Sequence, residues 1–162
     1  MAKFEADLSE TNTKLKAALD SSVHISKAQF DKEFSIYQQI WVRLVLLRAK
    51  TLSLRPLIDQ INPSETEQER IERRLTAFSE AFSGFRDAVE ENKPFYALII
   101  YKPLCEIVNL CHTESKEYEY KDPGWSKEYW DRSKRNGEGI IAAIDSCCEL
   151  IRERISSLSV AQ

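Results

Sequence analysis

Apolar positions recur at helical spacing along most of the chain. Phe30, Phe34, Tyr37, Trp41 and Leu44 follow one another at steps of four, three, four and three. Ile71, Leu75, Phe78, Phe82, Phe85 and Val89 repeat the rhythm. A helix turns once per 3.6 residues, so such steps lay an apolar stripe along one face. The first stripe drifts toward Ile40, Leu47, Leu54 and Ile58, because 3.6 does not divide a seven-residue repeat. "WVRLVLL" is apolar on more than one side, which predicts that the middle of this helix is surrounded by others. A third stripe carries Ile100, Leu104, Ile107, Cys111 and Tyr118, with Glu114 between the last two. A fourth carries Trp130, Gly137, Ile141, Ile144, Cys148, Ile151, Ile155 and Leu158. At the front, Phe4, Leu8, Leu15 and Leu19 make a thinner stripe.

Breakers and caps divide these stripes. "DSSVHIS" is expected to interrupt the first helix, and Ser26 with Gln29 then has the spacing of a capping box. The long helix that follows runs to Leu54 or Arg55 before Pro56 kinks or ends it. "NPSETEQE" restarts the chain, with Asn62 before Pro63, or Ser64 before Glu67, as its cap. "ENKPFY" reads as a turn, and Pro103 predicts a kink inside a single helix. Asp122 and Pro123 are a cap and first residue for the last helix. The expected fold is all-α: an antiparallel up-down bundle of four long helices plus a weaker N-terminal helix. Its parts are the weak helix 1–25, the bundle 26–158 and a frayed tail 159–162.

Composition narrows the picture. A chain of 162 residues suits one domain, and four glycines with five prolines suit long helices better than a sheet. A net charge of -3 argues against a nucleic-acid partner. Cys105, Cys111, Cys147 and Cys148 fit neither a metal motif nor a disulfide scaffold, so they read as reduced thiols of a cytoplasmic protein. No apolar run is long enough for a membrane span, and "MAKFEADLSE" lacks the apolar stretch of a signal peptide.

Little here looks catalytic. His24 and His112 are the only histidines, and neither lies in a Glu-x-x-His pair or a zinc spacing. No glycine-rich phosphate loop is present, and no cofactor or metal is expected. Two constellations remain. Arg48 and Arg55, facing Glu114 and His112, would make a pocket for an anionic ligand; a buried polar layer that sets helix register is the competing reading. Tyr118, Tyr120, Trp125 and Tyr129 crowd one turn and would make an interaction surface, or else close one end of the bundle. "ERIERR" and "RSKR" read as solvated faces, and so do Asp31, Lys32, Glu33, Gln38 and Gln39 beside the aromatic ladder. The ladder reads as core, facing Phe78, Phe82 and Phe85.

The runs "QFDKEFSIYQQIW", "LRAKTLSLRPLID", "RRLTAFSEAFSGFRDAVEENKPFY" and "YEYKDP" resemble a group of uncharacterised bacterial helical-bundle proteins. That resemblance implies a helical fold and no activity. The expected function is a non-enzymatic scaffold or protein-interaction module. It would act through a protein partner or as a homo-oligomer, using the N-terminal helix or the aromatic turn. A small anionic-ligand binder or hydrolase is the alternative.

Overall fold

The computed structural model describes residues 2–56, 58, 59, 62–120 and 126–159; the side chains of residues 2–10, 22, 25, 26 and 159 are also outside its description. Four α-helices carry the fold: α1 Ala2–Leu52, α2 Glu67–Glu91, α3 Leu98–Glu119 and α4 Lys127–Ser159. A short 3-10 turn, Lys93–Phe95, links α2 to α3. No strand occurs among the described residues.

The expected break at "DSSVHIS" is absent, and α1 is a single helix of 51 residues. The segment holds neither glycine nor proline, and serine and histidine only weaken a helix. α1 stops at Leu52, four residues short of Pro56. Thr66 caps α2, not Asn62 or Ser64. Its side chain accepts from the Glu69 backbone N–H at 3.2 Å while Glu69 accepts from the Thr66 N–H at 2.8 Å. Pro103 lies inside α3, which is one element as expected. α4 begins after Ser126, whose hydroxyl accepts from the Tyr129 N–H at 3.2 Å. Asp122 and Pro123, the expected cap, lie outside the described residues.

Cross-helix pairs give the threading. Along α1, Lys32 stands 5.2 Å from the Phe95 ring, Arg43 donates to the Gly84 carbonyl at 3.2 Å, and the Leu54 carbonyl accepts from Arg74 at 3.3 Å. Partners on the α2 side thus descend as α1 ascends. α4 descends too, from Arg154 at Glu33 to Gly137 against Leu52. α3 ascends, from Ala97 beside Tyr37 to Glu114 at Arg55. This is the contact order of an up-and-down bundle.

The core forms where the stripes meet. Ile36, Tyr37, Ile40, Leu44 and Leu47 of α1 are buried with Phe78, Phe85, Ile100, Leu104, Ile107, Ile140 and Ile144. The two aromatic stripes meet only at one end. The register sets Phe78, Phe82 and Phe85 level with residues 42–50 of α1, so only Phe85 comes near the level of Trp41, while Tyr37 packs edge-on against Tyr96 at 6.1 Å. Phe34 is 38% exposed, and Phe30, Trp41 and Phe82 are half-buried. Nor is the middle of α1 surrounded: Val42, Val45 and Leu46 are exposed. Gly84 admits the tip of the Arg43 side chain, which would stand 3.0 Å from an added Cβ.

The bundle occupies only the second half of α1. α2 and α3 turn beside Lys32, and α4 ends five residues beyond Arg154. The earlier part of α1 reaches roughly 40 Å past them at 1.5 Å per residue. Every described side chain from Thr11 to Gln29 is exposed.

Candidate functional site

At the closed end of the bundle, the turn after α1 swings Arg55 inward over α3 and α4. Its Nε donates to Glu114 Oε1 at 2.6 Å and its Nη2 to Glu114 Oε2 at 2.5 Å. Nη2 also reaches Glu117 Oε2 at 3.1 Å, and Nη1 reaches the Tyr129 carbonyl at 3.4 Å. The guanidinium lies 4.6 Å from the centre of the Tyr129 ring. Asn136 of α4 completes the cluster by donating to Glu114 and Glu117 at 2.8 and 3.1 Å. Burial disfavours the charge on Arg55, but its hydrogen bonds to Glu114 and Glu117 and the field of Glu114 outweigh it and raise its pKa.

Arg55 and Glu114 therefore meet, as one expectation had it. Arg48 and His112 do not join them. Arg48 is half-buried on α1, and His112 is exposed with its ring 5.9 Å from Phe82. Arg55 directs its donors at Glu114, Glu117 and Tyr129, and no buried side-chain polar atom among the described residues lacks a partner. The cluster has the character of a satisfied polar layer. Glu117, three residues past Glu114 and so on the same face, was the signal that the layer was larger than one pair.

Tyr118 and Tyr129 are buried around this layer, and Tyr120 is 75% exposed. Trp125 lies outside the described residues. The four do not form one exposed patch. In "ERIERR", Arg74 and Arg70 close the α1–α2 connection onto Asp59 at 2.5 and 3.9 Å, with only 12% of each side chain exposed. The "RSKR" segment does lie on the outer face of α4, where Arg132 and Arg135 mix with Glu128, Asp131 and Glu138.

A second cluster sits where the projecting first half of α1, the arm, leaves the bundle. Glu33, read as part of a solvated face, is 3% exposed. It accepts from Arg154 at 2.7 and 3.0 Å, from Tyr37 Oη at 2.9 Å and from Gln29 at 3.0 Å. Burial alone would push its pKa up; the bonds from Arg154, Gln29 and Tyr37 prevail and hold it below the ordinary carboxylate value. Tyr37 is pushed up to about 12 by burial and by its bond to Glu33. The signal was present in the sequence, because Glu33 stands three, four and seven residues before Ile36, Tyr37 and Ile40.

Beside this cluster an apolar groove of about 280 Å³ runs between α1 and α4, lined by Phe34, Trp41, Cys148, Ile151 and Ile155, with Arg152 at its edge. On the arm, Leu15, Leu19 and Val23 are 59, 56 and 55% exposed. Cys111 and Cys147 are pushed up to about 11 by burial, which makes them poor nucleophiles. No group of three or more His, Cys, Asp or Glu placed to hold a metal occurs among the described residues. No described helix is long and apolar enough to cross a membrane. No family model matches the sequence, and no curated protein or solved structure matches it.

Proposed function

We propose that the chain is a non-enzymatic protein-interaction module, a helical head that holds out the first half of α1 as a docking arm. The observation that carries this reading is the exposed row Leu15, Leu19 and Val23 on a helix that leaves its own bundle behind. Helices draw most of their stability from a packed apolar face, and every described side chain of this one from Thr11 to Gln29 is exposed. The exposed Phe34 and the half-buried Trp41 and Ile155 of the α1–α4 groove extend the surface. The ligand-pocket alternative gains nothing from the geometry, because Arg48 and His112 stand apart from Arg55 and Glu114. Four unpaired cysteines, two of them buried, suit the reducing cytoplasm.

Site-specific photo-crosslinking tests the reading. A photoreactive residue replacing Val23 is expected to give adducts of discrete mass in cells. The same residue replacing Glu138, on the charged outer face of α4, is expected to give none. Equal labelling at the two positions, or none at either, would defeat the reading.

A further inference from the structure

We propose that the arm docks on a second copy of this chain, each copy laying its arm along the α1–α4 groove of the other about a two-fold axis. The inference rests on the interaction-module reading and names its partner. Three features of one helix support it.

The first is spacing. Leu15, Leu19 and Val23 are four residues apart. On the groove-bearing half of α1, Trp41, Tyr37 and Phe34 stand four and three apart. If two α1 helices lie antiparallel with Val23 opposite Phe34, Leu19 falls opposite Gln38 and Leu15 opposite Val42, next to Trp41. One register thus sets all three within one residue of groove-lining positions. Because the symmetry is two-fold, the same register fills both grooves at once.

The second is length. The axis falls near residue 28, where α4 ends beside α1. The arm before that point and the bundle-bearing half after it are each about 40 Å long at 1.5 Å per residue. Each arm therefore spans its partner's head from end to end. The two α4 helices meet near the axis without competing for the same stretch of α1.

The third is charge. Lys16 and Asp20 border the arm's apolar row. From the pairings of α4 with α1, Asp145 and Glu149 stand near the level of Trp41, and Arg152, which pairs with Glu149 at 2.6 Å, near that of Phe34. The proposed register brings Lys16 to the level of the two acids and Asp20 toward Arg152. The pairing is thus complementary in sign as well as in shape.

Paired cysteines give a decisive measurement. In the variant Val23→Cys with Phe34→Cys, the two positions lie on one helix about 17 Å apart, far beyond the roughly 7 Å between Cα atoms that a disulfide tolerates. Any bond between them must join two chains. Mild oxidation of the double variant is expected to give a covalent dimer. Either single variant, and the wild-type chain with its native thiols, is expected to stay monomeric on the gel. Light scattering should give twice 18.8 kDa for the wild-type chain and 18.8 kDa for Leu19→Glu, with a cooperative melt retained in both. With the groove thiol removed by Cys148→Ser, cross-linking by Val23→Cys alone would indicate parallel arms and overturn the inference. A monomeric wild-type chain would overturn it as well. If photo-crosslinks at Val23 then still reached a different protein, the interaction-module reading would survive; if they reached nothing, both would fall.

Discussion

Two arginine–carboxylate clamps hold the bundle, one at each end, and they differ in their access to water. Arg55 and Glu114 have side chains 1% and 5% exposed. Arg154, which clamps Glu33, is 29% exposed while Glu33 is 4%. Both carboxylates are gripped through two nitrogens of one guanidinium. At the closed end, however, a charge that loses its partner has no solvent to turn to. At the arm end, Arg154 can be hydrated in place. The same chemistry should therefore be worth different amounts to stability, and the difference measures burial rather than bond count.

The largest expected effect is at the closed end. Glu114→Ala leaves the Arg55 guanidinium buried with Glu117 as its only carboxylate and is expected to cost about 3–5 kcal/mol, the range for breaking a buried pair. Glu33→Ala leaves Arg154 a route to water and is expected to cost about 1–3 kcal/mol, the range for stranding buried hydrogen-bond partners. Urea unfolding of the two variants beside the wild-type chain checks the order. A larger loss from Glu33→Ala would reverse the comparison.

Acid sharpens it further. Glu33 is held below the ordinary carboxylate value of 4.5 in the folded chain. A carboxylate with a lowered folded pKa contributes stability that is complete above its unfolded value and is lost as pH falls through the folded one. Lys32 lies on the same helix, and Arg154 and Tyr37 contact the carboxylate, so the favourable charges around it persist in acid. The stability gap between the wild-type chain and Glu33→Gln should be constant near neutral pH and close as pH drops below about 4.5. A gap that holds steady down to the acid transition would show that the Glu33 charge contributes nothing.

Much of this architecture was legible in the pattern of apolar residues, because a stripe that repeats over several turns has few other ways to be buried. The all-α fold followed from it, and Arg55 with Glu114 was one of the pairings it left open. The Glu33 clamp did not: its partner Arg154 lies 121 residues away, and only packing brings α1 and α4 together. Glu33 itself stood on the core stripe, hidden among charged neighbours. The cap at Thr66 was passed over because Asn62 and Ser64 offered the same chemistry a few residues earlier. The exposure of Val42, Val45 and Leu46 was illegible for a different reason. Periodicity reports which residues share a face, not how many neighbouring helices the chain has available to cover it. In the same way, four bundle helices could not cover the arm, and its continuity with the head depended on an absence of breakers in "DSSVHIS" rather than on any positive signal.

The smallest expected effect concerns Arg48, which sequence alone could not separate from Arg55. Both are arginines near the same edge of α1, seven residues apart, and either could have faced Glu114. The end of α1 at Leu52 breaks that equivalence, because Arg55 leaves the helix and turns inward while Arg48 remains on it, half-buried. A methionine keeps the long aliphatic stem that a half-buried arginine lays along its neighbours and removes only the charge. Arg48→Met is therefore expected to change stability by no more than about 0.5 kcal/mol, the usual limit for substitutions away from caps, clamps and core. Arg55→Met, by contrast, strands Glu114 and Glu117 at the closed end and should approach the loss seen for Glu114→Ala. Measured side by side in urea, the pair isolates what the turn after Leu52 does. If the two substitutions cost the same, the closed-end clamp is not the element that distinguishes them, and Arg48 belongs to the polar layer after all.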